Sequence, residues 1–347
     1  MRQMLVTEAE SSGLSVAKSS AAGVLLVMIS HRPAFCCRVI TALFLSPIVF
    51  KLENCMTSVL TPQNTTLWTA IITPMLADGT IDFATFTKLL REQESAGNGV
   101  VLLGSTGEGS NLSLAERQAV VQHASSLNLA MPLMVGVGGL DLPSQLEWLA
   151  FCETQSVSSY LLVTPIYAKP GANGQRRWFE ALLNTVSKPC MLYNIPSRAG
   201  VPLAEGAIAG LVGHTNLWAV KESGGNAARF AELKAAYPQI AWYSGDDVLF
   251  AEHAALGAAG LVSVASNVWP QQVASWVKQG LAGEAIGDAL RLASETLFIA
   301  PSPIPTKAIM HHQGRITSNE LRLPLCAEDL VSLLPILEQD QQLAKLA

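Results

Sequence analysis

Eight times between residues 67 and 264 the chain passes from a short apolar run of strand length into an amphipathic run of helix length. The strand-like runs are Leu67–Ile72, Val100–Leu103, Pro132–Val135, Ser159–Val163, Cys190–Tyr193, Leu217–Lys221, Ile240–Tyr243 and Gly260–Val264. The first leads through Thr73-Pro74 and an Asp78-Gly79 turn into a helical pattern from Phe83 to Ser95. Strict alternation of this kind predicts a parallel sheet. Eight units predict its closure, an α/β fold of the (β/α)8 TIM-barrel type, with an open doubly wound sheet as the alternative. From about Gly283 to Ala347 the pattern changes to helices around Pro301-Ser302-Pro303-Ile304-Pro305, with no ninth unit. We therefore expect a catalytic barrel over residues 56–282 and a C-terminal helical region over 283–347.

Residues 1–55 read differently. Two apolar stretches, Ala21 to Ile29 and Val39 to Phe50, are each shorter than the roughly 18 apolar residues that a membrane span requires. Glu8 and Glu10 near the start, and the lack of a small-residue cleavage site after Phe50, fit a secretory signal poorly. We expect this segment to be a mis-start or a disposable leader. The other 292 residues carry the fold argument. Half of the chain is hydrophobic and 14% is charged, ample for a large core. The net charge of −5 and the lack of any run of Lys and Arg leave nothing for nucleic acid to bind. Six cysteines without paired spacing, Cys36 and Cys37 being adjacent, argue for reduced thiols in a cytoplasmic protein.

A barrel puts its chemistry at the carboxyl ends of the strands, so unusual polar residues should collect there. They do. The second strand runs into Gly104-Ser105-Thr106-Gly107-Glu108-Gly109, the fourth into Thr164-Pro165-Ile166-Tyr167, the fifth into Tyr193-Asn194-Ile195-Pro196-Ser197-Arg198, and the seventh into Ser244-Gly245-Asp246-Asp247. The sixth ends on Lys221. A buried parallel strand is apolar throughout, and lysine is almost never placed in one without a partner or a task. Desolvation favours its neutral, nucleophilic form, the form that attacks a ketone to give an imine. The competing reading is a lysine that reaches water or pairs with Glu222.

The other pieces fit a keto acid. The 104–109 loop lacks the lysine and spacing of a nucleotide-binding loop, but glycine-exposed amides beside the Ser105 and Thr106 hydroxyls suit a small carboxylate; a plain turn is the alternative. Arg198, on a loop stiffened by Pro196, has the fork to grip a carboxylate in two places. Tyr193 can pass protons during imine formation and C–C bond formation. The histidines lack metal-ligand spacing, His311-His312 reads as a helix-surface pair, and neither a metal nor another cofactor is expected.

Gly104-Ser-Thr-Gly-Glu108, Tyr193-Asn-Ile-Pro-Ser-Arg198, Val220-Lys221-Glu222, Ser244-Gly-Asp-Asp247, Pro303-Ile-Pro-Thr-Lys307 and Leu321-Arg-Leu-Pro324 together resemble the dihydrodipicolinate synthase branch of the N-acetylneuraminate lyase superfamily. The resemblance runs from Leu67 to about Pro324. It implies a homodimer or homotetramer that condenses pyruvate with L-aspartate 4-semialdehyde in lysine and diaminopimelate biosynthesis. Lys221 would form the Schiff base, Tyr193 would be the central proton relay, and Ser105 would replace a relay threonine. Thr106 would hold the pyruvate carboxylate and Arg198 that of the aldehyde. Tyr167 would reach across a dimer interface into the neighbouring site, and the Val262 carbonyl would lie nearby. A sugar-acid aldolase of the same superfamily, acting on N-acetylneuraminate or a 2-keto-3-deoxy sugar acid, is the alternative. Ser105 leans towards it and Arg198, suited to a second carboxylate, away from it. Members inhibited by L-lysine carry a histidine, and an asparagine with a glutamate, where this chain reads Leu114 to Arg117 and Leu140 to Ser144, so weak or absent feedback is implied.

Overall fold

A computed structural model describes residues 6–8, 14–18, 25–29 and 60–345. The chain divides into two units, Met1–Ser58 and Val59–Ala347. In the first, Val6–Glu8, Leu14–Lys18 and Leu25–Ile29 pair antiparallel in that order. The Val39 to Phe50 stretch and Cys36, Cys37 and Cys55 lie outside the described residues.

The second unit is a closed barrel of eight parallel strands: β1 Leu67–Ala70, β2 Gly99–Leu102, β3 Leu133–Val137, β4 Ser159–Val163, β5 Cys190–Asn194, β6 Leu217–Glu222, β7 Ala241–Ser244 and β8 Gly260–Ser263. Each pairs with its neighbours in sequence, and β8 closes the ring on β1 through Leu261 opposite Leu67. β1 stops two residues short of the apolar run: the Ile71 amide still bonds the Val101 carbonyl of β2, but the Ile72 amide turns to the Asn267 side chain. Three helices, Ala289–Thr296, Ile304–His312 and Leu334–Ala344, follow the barrel. Among the described residues no helix is long and apolar enough to cross a membrane.

Period-two alternation splits the apolar residues into two layers. Leu67, Leu102, Val135, Leu162, Leu192 and Val220 face outward and pack among the helices. Trp68, Val101, Met134, Leu161, Met191, Ala219, Tyr243 and Val262 fill the barrel. One irregularity decides what β6 presents inside. Cys190 pairs with Leu217 but Met191 pairs with Ala219, so Trp218 is an extra residue on β6. This bulge lets Trp218 and Ala219 both face inward: Trp218 packs on the inner layer with its ring centroid 6.3 Å from that of Trp68. The phase of the strand shifts by one, Val220 turns outward, and Lys221 turns in.

Candidate active site

Lys221 is 5% exposed and lies near the carboxyl end of β6. Directly opposite on β5 is Tyr193. Paired residues of parallel strands share a face, and Lys221 Nζ sits 4.1 Å from the centroid of the Tyr193 ring. The other neighbour in register is Tyr243 on β7, whose hydroxyl donates to the Thr65 carbonyl at 3.0 Å and so is committed to the barrel floor. Tyr193 is thus the phenol at the lysine. Among the described residues no ion pair or hydrogen bond engages Lys221, and Glu222, the sequence alternative for a partner, faces the other side of the strand. There its carboxylate accepts from Asn194 Nδ2 and the Gly224 amide. A cavity of about 480 Å³ lined by Asn194, Glu222 and Arg229 lies on that outer side; Lys221 is not part of its wall.

Room for the lysine comes from Gly245, immediately after β7. A Cβ there would lie 2.6 Å from Lys221 Cε and 2.9 Å from Cγ, closer than real side chains pack. The next two residues are acids. Burial raises the Asp246 carboxyl above the ordinary aspartate range, and the nearby Lys221 charge pulls it partway back. Asp247 is also raised by burial, its carboxylate taking the Ser263 hydroxyl and the Val264 amide.

The 104–109 loop folds tightly over the end of β2. Leu103 and Glu108 adopt left-handed backbone conformations. A Cβ at Gly107 would lie 2.9 Å from the Ile71 carbonyl, and Gly109 packs directly on the Leu103 carbonyl. Glycine is required at both positions. Thr106 is 4% exposed, and among the described residues no hydrogen bond engages its hydroxyl or that of Ser105. The loop is pinned from below by the Thr73 hydroxyl on the Gly107 carbonyl at 2.8 Å. It is pinned from the side by Glu108, which meets Lys307 and accepts the Arg322 amide at 2.7 Å.

Arg198 lies on the helical turn Pro196–Ala199 after β5, exposed, with one guanidinium nitrogen on the Ser302 carbonyl at 3.2 Å. Tyr167 follows β4. Its backbone is left-handed at φ 67, its amide bonds the Ala199 carbonyl at 3.3 Å, and its side chain is 86% exposed. Val262 lies in the barrel interior on β8 and is fully buried. The structure therefore brings Lys221, Tyr193 and Val262 into one interior layer. Ser105, Thr106 and Tyr167 on loops, and Arg198 on its helical turn, stand at the same carboxyl-terminal end, with Tyr167 facing solvent. His311 and His312 are exposed at the end of their helix. Cys152, Cys190 and Cys326 are free thiols. Among the described residues there is no group of three or more potential metal ligands. Sequence reasoning assigned no role to Gly245, Ser223, Glu108 or Lys307. Gly245 stood in a quoted motif, but only packing shows what it makes room for.

The Dihydrodipicolinate synthetase family matches residues 63–332. The chain is 48% identical over 273 residues to the 4-hydroxy-tetrahydrodipicolinate synthase of Francisella philomiragia, covering 78% of this chain and 92% of that protein. Among solved structures, it resembles the 4-hydroxy-tetrahydrodipicolinate synthase of the thermoacidophilic methanotroph Methylacidiphilum fumariolicum SolV, with a TM-score of 0.77 and 32% identity over 81% of this chain and 97% of that one. It also resembles the chloride-inhibited dihydrodipicolinate synthase of Acinetobacter baumannii complexed with pyruvate, with a TM-score of 0.76 and 30% identity over 80% and 98% of the two chains.

Proposed function

The chain belongs to the dihydrodipicolinate synthetase family, and we propose that its chemistry runs through an imine between Lys221 and pyruvate. The activity is that of a 4-hydroxy-tetrahydrodipicolinate synthase, a lyase of lysine and diaminopimelate biosynthesis. The names of the relatives set the sugar-acid aldolase alternative aside. The observation that carries the mechanism is the lysine held inside the barrel, without an ion pair, 4.1 Å from the ring of Tyr193.

Lys221 Nζ attacks the pyruvate ketone, water leaves, and the cationic imine draws electrons from the methyl carbon, which loses a proton to become an enamine. That carbon attacks the aldehyde of L-aspartate 4-semialdehyde. Tyr193, backed by Ser105, moves the protons that carbinolamine collapse and C–C bond formation require. Thr106 and the tight loop that carries it hold the pyruvate carboxylate, Arg198 receives that of the aldehyde, and the Val262 carbonyl borders the reacting atoms. A large aromatic residue left exposed beside the site supports assembly of two or four copies, with Tyr167 completing the neighbouring site.

Borohydride reduction in the presence of pyruvate tests the reading. The expected adduct maps to Lys221 by peptide mass and is absent from Lys221→Ala; an adduct elsewhere means that the nucleophile is another residue. Tyr167→Phe should slow turnover while the protein stays folded, and an unchanged rate would count against a shared site.

A further inference from the structure

Ser223, two residues beyond Lys221, is 8% exposed, and its hydroxyl has no hydrogen-bond partner. A buried hydroxyl normally finds one, so an orphan at a strand end beside a reactive amine calls for a ligand. The Ser223 amide bonds the Asn194 carbonyl at 2.9 Å, continuing the β5–β6 ladder past the last strand residue. Period two then turns Ser223 to the same side as Lys221, one step nearer the barrel mouth. Packing at Gly245 agrees: a Cβ there would overlap Ser223 Oγ and would also crowd Lys221 Cε, so the hydroxyl and the end of the lysine chain lie against one Cα.

We propose that Ser223 is a further catalytic residue, whose hydroxyl donates a hydrogen bond to the aldehyde oxygen of the second substrate during C–C bond formation. The assignment rests on the Schiff-base reading above. The enamine carbon bonds to the aldehyde carbon, the carbonyl π pair moves onto oxygen, and that oxygen takes a proton through Tyr193 to become a hydroxyl. Ser223 keeps its own proton and stabilises the charge as it forms. Position favours the aldehyde over pyruvate. The ketone carbon is fixed on Nζ and its carboxylate at the 104–109 loop, whereas the second substrate enters from the mouth, the side to which Ser223 is displaced.

The test compares wild type with Ser223→Ala in two measurements: borohydride trapping of the pyruvate adduct, and steady-state kinetics with aspartate semialdehyde varied at saturating pyruvate. The expected result is unchanged trapping with kcat/KM for the aldehyde lower by roughly 10- to 100-fold. An unchanged kcat/KM, or a parallel loss of trapping that marks a packing role, would overturn the proposal. Absence of trapping in wild type would overturn the reading beneath it, and this assignment with it.

Discussion

Lys307 Nζ lies 2.5 Å from Glu108 Oε1, and neither side chain is exposed. This ion pair joins the loop at the mouth of the barrel to a helix of the C-terminal region, nearly two hundred residues later in the chain. Lys307 also donates to the Glu320 carbonyl at 2.7 Å, and the Arg322 amide bonds the other oxygen of Glu108 at 2.7 Å. Burial lowers the Lys307 pKa, and the Glu108 charge opposes that shift. The helices that follow the barrel therefore brace the loop that carries Ser105 and Thr106.

Removing one partner leaves a charge buried without compensation. Lys307→Met should cost about 3–5 kcal/mol of stability, read from urea unfolding. The double variant Glu108→Gln with Lys307→Met removes the stranded charge and should recover most of that loss. A double variant less stable than the single one would mean that the pair itself, not its desolvated remnant, dominates.

Gly245 argues a second outcome. Alanine there meets Lys221 at Cγ and Cε, so the lysine must shift within a packed interior. Displacement of a reacting group by about 1 Å costs on the order of 10²-fold in rate. Gly245→Ala should keep its far-UV circular dichroism and slow pyruvate trapping by about that factor.

The barrel was legible because eight apolar runs at regular spacing are a property of local sequence, and their polar ends marked the face that carries chemistry. The direction of Lys221 was not. Counting alternation from Trp218, which packs inside, would point Lys221 outward; only the bulge at Trp218 and Ala219 restores it, and nothing in Leu217-Trp218-Ala219 signals an extra residue. The Glu108–Lys307 pair was invisible for another reason. Its partners are joined by the fold and by no spacing rule. Ser223 carries no sequence signal of its own; its missing partner and the close packing at Gly245 exist only in the fold.

Feedback by L-lysine offers a third test. Of the two stretches where the family resemblance locates lysine ligands, Leu114 to Arg117 lacks the histidine and Leu140 to Ser144 lacks the asparagine and glutamate. They open on Leu114, 49% exposed, and Leu140, 72% exposed, and Asp141 is committed to the Ser144 amide. The nearby acid Glu116 is committed to the Ser113 cap and to Arg322. Millimolar L-lysine should leave the initial rate essentially unchanged, and substantial inhibition would show a site built from other residues.

His253 predicts how stability depends on pH. The imidazole is 1% exposed, stacked on Phe230 at 4.2 Å between centroids, with Nδ1 2.8 Å from the Ser244 hydroxyl and Nε2 without a partner. Burial depresses its pKa from 6.5 to about 4. Between those values the unfolded chain binds a proton that the folded protein does not, so this group's contribution to stability falls as pH drops from about 6.5 to about 4 and levels off below. The drop amounts to roughly 3 kcal/mol. His253→Phe keeps an aromatic ring against Phe230 and removes the titration. Buried Asp246, Asp247 and Glu222, whose pKa values are raised, bias the total curve the opposite way, so the informative quantity is the difference between variant and wild type. Urea midpoints measured from pH 7 to pH 4 should shift in favour of the variant as pH falls, by an amount that grows through that window; a pH-independent difference would mean that His253 binds its proton in the fold as readily as in the unfolded chain.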